Sequence, residues 1–528
     1  MKNYNTVFKN SEHLLHIFID YFPVFMTFIQ LFIFAFSFLP IKHIMIIVSA
    51  FHLPSRNIYI SINFEGECFM YTINFDKPIH IHFIGIGGIS MSGLAEILLQ
   101  EGFTISGSDA KESTLTDHLT SLGAEIFYGQ RASNIIDGID LVVYTAAIHP
   151  DNPEYACAQE KGIPMMTRAD LLGQIMTNYQ TPIAVSGTHG KTTTTSMASH
   201  VLLEGGFDPT ISVGGILPAI GGNLRVGHSE TFITEACEYT NSFLSFFPKI
   251  SIILNVDADH LDFFKDIDDI RRSFRLFAEK LPADGTLIIN SDTPHYEDII
   301  RDLPCSVITY SLEHEADYTA SNITYDELGH PTFTCMHRGE AVGTFSLKVP
   351  GIHNVSNSLS VIALADLLHI DHETLQKGLQ NFTGTDRRFQ LKGEVGGVTI
   401  IDDYAHHPTE IKATLTSAKN YPHKKTWCVF QPHTYTRTKA LLPEFAEALT
   451  LADHVVLADI YAAREKNTLG ISSKDLQERI QELGTPCEYF PTFDEIENYL
   501  LTNCEKGDLV ITMGAGDVVK IGENILGL

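Results

Sequence analysis

The sequence predicts three successive α/β domains behind a hydrophobic N-terminal extension, and three observations carry that expectation. The apolar run IHIHFIGI (Ile79–Ile86) enters a glycine turn and then a helical stretch. A second run, IAVSG (Ile183–Gly187), does the same through THGKT. From about Thr383 onward, strand-like runs again alternate with helical ones. Short apolar runs closed by turn residues and separated by longer helical periods are the pattern of parallel sheets with helices packed on their faces.

Composition narrows the function. The 528 residues carry 36 Lys+Arg against 64 Asp+Glu, a net charge of −28, which opposes a broad electrostatic grip on phosphate backbones and excludes nucleic acid as the expected partner. Eight cysteines are scattered without a CxxC pair, as expected of reduced thiols in a cytoplasmic protein. Residues 1–69 differ from the rest. Lys2, Lys9, Lys42 and Arg56 balance Glu12, Asp20, Glu65 and Glu67, and 21 uncharged residues, Tyr21–Ile41, are long enough to cross a bilayer. Pro23 and Pro40 confine a clean helix to the middle of that run, and MYTINFDKPIHIHFIGIGG follows from Met70 without a linker. The extension is therefore expected to be an upstream stretch read from a wrong start rather than an anchor, and membrane contact is expected only if it is real.

Taken in order, the first unit (residues 70–178) opens with the Ile79 strand, a helix from Met91 to Gln100 and a strand Thr104–Ser108 ending in Asp109, with a further strand at Leu141–Thr145. TNYQTP, near Asn178, reads as a linker. The second unit (179–382) begins with the Ile183 strand and a long helix from Lys191, followed by strands TFITEA and ISIILNV. The third (383–528) has strands at Val398–Asp402, Thr426–Phe430, His454–Asp459 and Asp508–Met513, with helices at Pro408–Ala418 and Leu441–Leu451.

The most specific string is SGTHGKTTTT, Ser186–Thr195. A strand, a tight glycine turn, Lys-Thr and a helix N-terminus make a phosphate cradle, with Lys191 as a point charge and the Thr192 hydroxyl able to reach Mg²⁺. It is a shortened form of the GxxxxGK[ST] loop, since Val185 stands where the first glycine belongs. Glu235 in TFITEACEY and His260 in NVDADHLDFF each fall at the carboxyl end of a strand, where ligands of open parallel sheets collect, so a carboxylate, a hydroxyl and an imidazole could converge on nucleotide-bound Mg²⁺. The first turn, GIGGIS, approximates GxGxxG with Ser90 in place of the third glycine, and Asp109 follows Gly85 by 24 residues, where a ribose-binding acid would stand.

With these strings stand TAAIHPDNPE (Thr145–Glu154), GIHNVSN (Gly351–Asn357), GTDRRF (Gly384–Phe389), DDYAHHPTE (Asp402–Glu410) and FQPHTYTRT (Phe430–Thr438). In this order and spacing, from about Met70 to Leu528, the set resembles the Mur ligases; residues 1–69 take no part in the resemblance. The resemblance implies a Rossmann-like domain binding UDP-N-acetylmuramate, a central P-loop ATPase domain and a C-terminal Rossmann-like domain that brings the amino acid. It implies an ATP-dependent ligase of peptidoglycan synthesis that joins L-alanine to the substrate carboxylate through an acyl phosphate. The alternative is a related muramoyl-peptide ligase of cell-wall recycling.

By resemblance, ATP would lie on Gly187, Thr188, His189, Gly190, Lys191, Thr192 and Thr193, with Asn354, Asn357 and Asp403. Mg²⁺ would lie on Thr192, Glu235 and His260. Lys191, His260 and Arg388 would serve catalysis. Gly85, Gly87, Gly88, Asp109 and His149 would face the UDP substrate, and His433 and Arg437 the amino acid. An oxidoreductase would explain GIGGIS and Asp109 but leaves GTHGKT, EACEY and DADHLD without a purpose. A membrane-bound regulatory ATPase would use the extension and the P-loop while ignoring the C-terminal strings.

Overall fold

The computed structural model describes residues 71–528, apart from 146, 262 and 464, together with two short strands nearer the N-terminus. Those strands, Met45–Val48 and Ile58–Ser61, pair antiparallel and belong to a compact unit ending at Met70. The candidate membrane run Tyr21–Ile41 and the expectation that the extension is mis-started lie outside the described residues. Among the described residues no helix is long and apolar enough to cross a membrane.

Residues 71–528 carry three sheets. The first is wholly parallel, in the order Glu125–Tyr128, Thr104–Asp109, His80–Ile84, Leu141–Tyr144, Met165–Thr167. The reversal of strand order beside His80–Ile84 creates a crevice at the carboxyl ends, and there the chain turns through Gly85 (φ 85°). Gly87 donates its N–H to Asp109 Oδ2 at 2.8 Å, and a Cβ on Gly87 would stand 2.8 Å from that oxygen, so a larger residue would push the Asp109 carboxylate out of place. The helix begins at Ile89, two residues before the expected Met91, which places Ser90 in a helical turn with no positive φ. The missing third glycine therefore costs nothing there.

The central sheet has ten strands. Its parallel heart runs Thr210–Leu217, Thr231–Ala236, Thr181–Ser186, Ile250–Ile253, Thr286–Asn290, Ser306–Ser311. Ile183, Ala184, Val185 and Ser186 are fully buried, as a strand covered on both faces must be. TNYQTP, read as a linker, is a short connection: the helix Arg168–Met176 ends just before it and Thr181 already pairs with Thr231. A meander, Tyr318–Tyr325, Pro331–His337 and Glu340–Ser346, joins the far edge through a parallel pair with Ser306–Ser311 and continues antiparallel. These strands, with Thr286–Asn290 and Ser306–Ser311, were not legible from motifs.

The third sheet runs Gln390–Val395, Val398–Asp403, Leu509–Met513, Thr426–Phe430, His454–Leu457, Cys487–Tyr489, with only its first pair antiparallel. The strand expected over His454–Asp459 stops at Leu457, and the chain then bends so that Tyr461 bridges to His433.

One glycine fixes how the first sheet's last helix meets the central segment. A Cβ on Gly173 would fall 1.9 Å from the Ser245 carbonyl oxygen, while Ser245 Oγ donates to Asp170 Oδ1 at 2.7 Å. Gly173→Ala is expected to cost about 1–3 kcal/mol by overpacking against a backbone that cannot yield. Thermal melting checks it, and an unchanged melting temperature would show that the contact is not tight.

Candidate active site

The phosphate loop leaves a fully buried strand and turns through two glycines in the left-handed half of φ space, Gly187 (φ 141°) and Gly190 (φ 84°). Gly190 caps the helix Lys191–Glu204 without any side-chain bond, so the N-terminal N–H groups of a 14-residue helix remain free for an anion. Asn255 staples the loop in both directions: its Oδ1 accepts from the His189 N–H at 2.8 Å and its Nδ2 donates to the His189 carbonyl at 3.0 Å. The Thr188 hydroxyl accepts from the Asp257 N–H at 2.9 Å.

Lys191 Nζ donates to the carbonyls of Gly187 (2.5 Å) and Thr188 (3.1 Å) and to Glu238 Oε2 (2.8 Å). Burial works against its charge, but the neighbouring groups, Glu238 foremost and Glu235 with it, together outweigh burial and hold the ammonium above its usual pKa. The Thr192 hydroxyl donates to Glu235 Oε2 at 3.1 Å, and Gly214 N–H fixes Oε1 at 2.5 Å. Glu238 is only 2% exposed, and its Oε1 has no hydrogen-bond donor and lies 3.7 Å from His260 Nε2. His260 itself sits at φ 55°, a strained position for a non-glycine residue. Two carboxylates and a hydroxyl, with one Glu238 oxygen left without a hydrogen-bond donor, form an oxygen-rich donor set that fits Mg²⁺. Glu238 was missed from sequence because EACEY offers two acids and only the fold shows that both face Lys191 and Thr192.

A cavity of about 420 Å³ adjoins the loop. Its walls include the expected His189, Gly190, Thr193, Asn354, Asn357, Arg388 and Asp403, from both central and C-terminal segments. Asn354 and Asn357 lie in the first turns of helix Ile352–Leu367, where Asn357 donates to Asn354 Oδ1 at 3.2 Å. A Cβ on Gly190 would come within 3.1 Å of Asn357 Oδ1, so the asparagine pair abuts the loop. The two arginines of DRRF separate. Both guanidinium groups lie over the Tyr404 ring, but Arg387 is spent on Asp402 and on the carbonyls of Gly514 and Gly516, whereas Arg388 lines the cavity. Burial pushes the Asp403 carboxyl up to about 6, against the pull of Arg388, and it accepts from the N–H groups of Phe389 and Ala405. His353, also in the wall, was not expected; burial lowers it to about 4, leaving a neutral imidazole.

Across the cavity's edge the central and C-terminal segments are tied by charge. His189 Nε2 lies 3.3 Å from Asp257 Oδ2 and its Nδ1 lies 3.3 Å from Glu410 Oε1, while Thr409 Oγ1 donates to the same Asp257 oxygen at 2.6 Å. Burial opposes charge on His189, yet the two carboxylates raise its pKa to about 9. Among the described residues, His189, Asp257 and His407 bring possible metal-ligating atoms within 4.8 Å of one another. Both nitrogens of His189 already face carboxylates, so this trio is an ion pair with a neutral neighbour rather than a cation site.

The other expected residues fall in two further places. Gly85, Gly87, Gly88 and Asp109 gather at the strand ends of the first sheet, outside the cavity. His149 is exposed in the loop beyond Leu141–Tyr144. Beneath that crevice a buried carboxylate, unmarked by any motif logic, ties the loops together: Glu154 accepts from Ser108 Oγ at 2.6 Å and from Asn134 Nδ2 at 2.5 Å. His433 and Arg437 meet on the third sheet, Nδ1 to Nη1 at 3.2 Å, with Tyr461 stacked on His433.

Known proteins match this arrangement along its length. Family models described as Mur ligase family, catalytic domain (residues 80–180), Mur ligase middle domain (185–365) and Mur ligase, glutamate ligase domain (387–516) all fit. The chain belongs to the Mur ligase family. Within it, the UDP-N-acetylmuramate–L-alanine ligase of Agathobacter rectalis is 63% identical over 457 residues, covering 87% of this chain and 100% of that one. The enzyme of the same name from Lachnospira eligens is 62% identical over 458 residues, with the same coverage. The crystal structure of UDP-N-acetylmuramate-alanine ligase from Thermotoga maritima superposes with a TM-score of 0.71 at 30% identity, covering 85% of this chain and 98% of that one.

The His189 bridge makes a pH prediction. Its pKa is raised from 6.5 to about 9, so the stabilisation is complete below 6.5 and is lost as pH rises through 9. In melting curves taken across that window, wild type should lose its advantage over His189→Gln as pH rises. A constant difference between the two proteins would show that the bridge contributes no pH-dependent stability.

Proposed function

We infer that this chain joins L-alanine to the carboxylate of UDP-N-acetylmuramate with consumption of ATP, a step of peptidoglycan precursor synthesis. The observation that carries the inference is a helix N-terminus free of side-chain caps whose first residues pair with carboxylates, Lys191 with Glu238 and Thr192 with Glu235, while Gly190 and Thr193 of the same loop line a cavity walled by both central and C-terminal segments. The relatives named for the alanine-adding reaction support it, and the muramoyl-peptide alternative is not favoured.

A carboxylate is a poor electrophile at neutral pH. Transfer of the γ-phosphoryl group to a carboxylate oxygen gives an acyl phosphate and ADP. Attack of the neutral alanine amine at the acyl carbon then forms the amide, and phosphate leaves. Such transfer is mostly positioning and charge neutralisation. In this reading Lys191 and the N–H groups at the start of its helix, Gly190–Thr193, hold the phosphates, with Gly187, Thr188 and His189 shaping the loop around them. Asn354, Asn357, Arg388 and Asp403 line the nucleotide's seat. Thr192, Glu235 and His260 would hold Mg²⁺, with Glu238 facing the same space; the ion would supply further neutralisation of phosphate charge.

Gly85, Gly87, Gly88, Asp109 and His149 are assigned to the UDP substrate, which places the three expected units 70–178, 179–382 and 383–528 in separate binding roles. His433 and Arg437 are assigned to L-alanine. Burial, reinforced by Arg437, lowers His433 to about 4, which keeps a neutral imidazole beside the amino-acid site. A cytoplasmic place of work belongs to the same reading.

Phosphate release from ATP should require UDP-N-acetylmuramate and, for sustained turnover, L-alanine. No release with the full set in folded protein would sink the assignment. Lys191→Ala should lower turnover by about 10²-fold or more, since its charge acts on the transferring group, while binding of UDP-N-acetylmuramate stays near normal. Calorimetric titration with that substrate separates the two effects, and near-normal turnover would take the phosphate role from this loop.

A further inference from the structure

Arg437, assigned to the carboxylate of the incoming amino acid, belongs to the short helix Tyr435–Ala440 of the C-terminal segment, but its principal partner lies in the central one. Asp259, 7% exposed, precedes His260 in the loop after strand Ile250–Ile253. Its Oδ1 accepts from Arg437 Nε at 3.2 Å, from Nη2 at 3.0 Å and from the His260 N–H at 2.7 Å. Its Oδ2 lies 3.8 Å from His260 Nε2.

A guanidinium has five N–H groups and accepts none, so His433 Nδ1, 3.2 Å from Arg437 Nη1, must be the acceptor there and must carry its proton on Nε2. Three N–H groups are thus engaged, on Nε, Nη2 and Nη1. One remains on each terminal nitrogen, Nη1 and Nη2, for a substrate carboxylate to accept. Because both Asp259 bonds hold the Nε–Nη2 edge, the plane of the guanidinium is set by a residue of the other segment. The amino-acid grip is therefore complete only where the C-terminal segment is seated on the loop that also bears His260.

We propose, resting on the assignment of Arg437 to L-alanine, that Asp259 is the positioning residue for amino-acid capture, aligning Arg437 from across the segment boundary so that its remaining N–H pair meets the substrate carboxylate. It does not touch substrate. Its loss should appear in the affinity for L-alanine rather than in that for ATP or UDP-N-acetylmuramate.

Steady-state kinetics in each substrate test this with Asp259→Asn, Asp259→Glu, Arg437→Lys and the Asp259→Asn/Arg437→Lys double variant, each checked for native melting. Asp259→Asn should raise KM for L-alanine by about tenfold or more, the scale of a lost charge-assisted hydrogen bond, with KM for ATP and UDP-N-acetylmuramate close to wild type. Asp259→Glu, which keeps the charge but displaces it, should fall between. The double variant should be little worse than Arg437→Lys alone, because one variant has already removed what the other disturbs. If Arg437→Lys raises KM for L-alanine but Asp259→Asn does not, or if the two losses multiply, the positioning role is wrong while the assignment of Arg437 stands. If Arg437→Lys leaves KM for L-alanine unchanged, that assignment fails and the positioning role fails with it.

Discussion

The site is organised around one buried ammonium. Lys191 is held by two carbonyls of its own loop and by Glu238, and the loop can wrap it only because Gly187 and Gly190 occupy backbone conformations closed to other residues. Those turns bring Lys191 to the first position of the following helix, whose N-terminal N–H groups carry no side-chain cap, so the positive end of the helix and the positive side chain stand together. Glu238 offsets the cost of burying that charge. It also brings an unpartnered oxygen to the place where Thr192 and Glu235 present theirs.

The same loop is fastened to the next strand's exit by Asn255 and Asp257, and that exit is where the C-terminal segment docks. Asp257 meets Thr409 and His189, His407 Nε2 approaches the Ala258 carbonyl, and Asp259 meets Arg437. Five consecutive residues, Asn255 to Asp259, thus serve the phosphate loop on one side and the amino-acid side on the other. Buried charge pairs of this kind are weak evidence for net stability. Their value here is geometric, since an Arg437 that had lost Asp259 would be a buried charge without its carboxylate, and a His189 without its two carboxylates would lose its proton.

Most of the fold was legible where function constrains the chain. The strands leading into Gly85 and Gly187 announced themselves by apolar runs closed with turn residues, and the third sheet's parallel strands followed the same rule. The antiparallel meander at Tyr318–Ser346 did not, because an edge that is half exposed needs no continuous apolar run and no motif. Arg387 and Arg388 are indistinguishable as neighbours in a string; alternate directions of their side chains send one into Asp402 and the other into the cavity wall.

By itself the sequence determined the local devices: the glycine turns, the Lys-Thr pair at a helix start, the strand-end acid and histidine, and the family to which their order belongs. Local chemistry suffices for these, since each depends on residues within one turn or one strand end. Tertiary structure alone decided the pairings across distance: Glu238 with Lys191, Glu410 with His189, Asp259 with Arg437 and Glu154 with Ser108. An acid in a string has many possible partners, and only the packing of sheets and helices settles which one shares its low-dielectric surroundings.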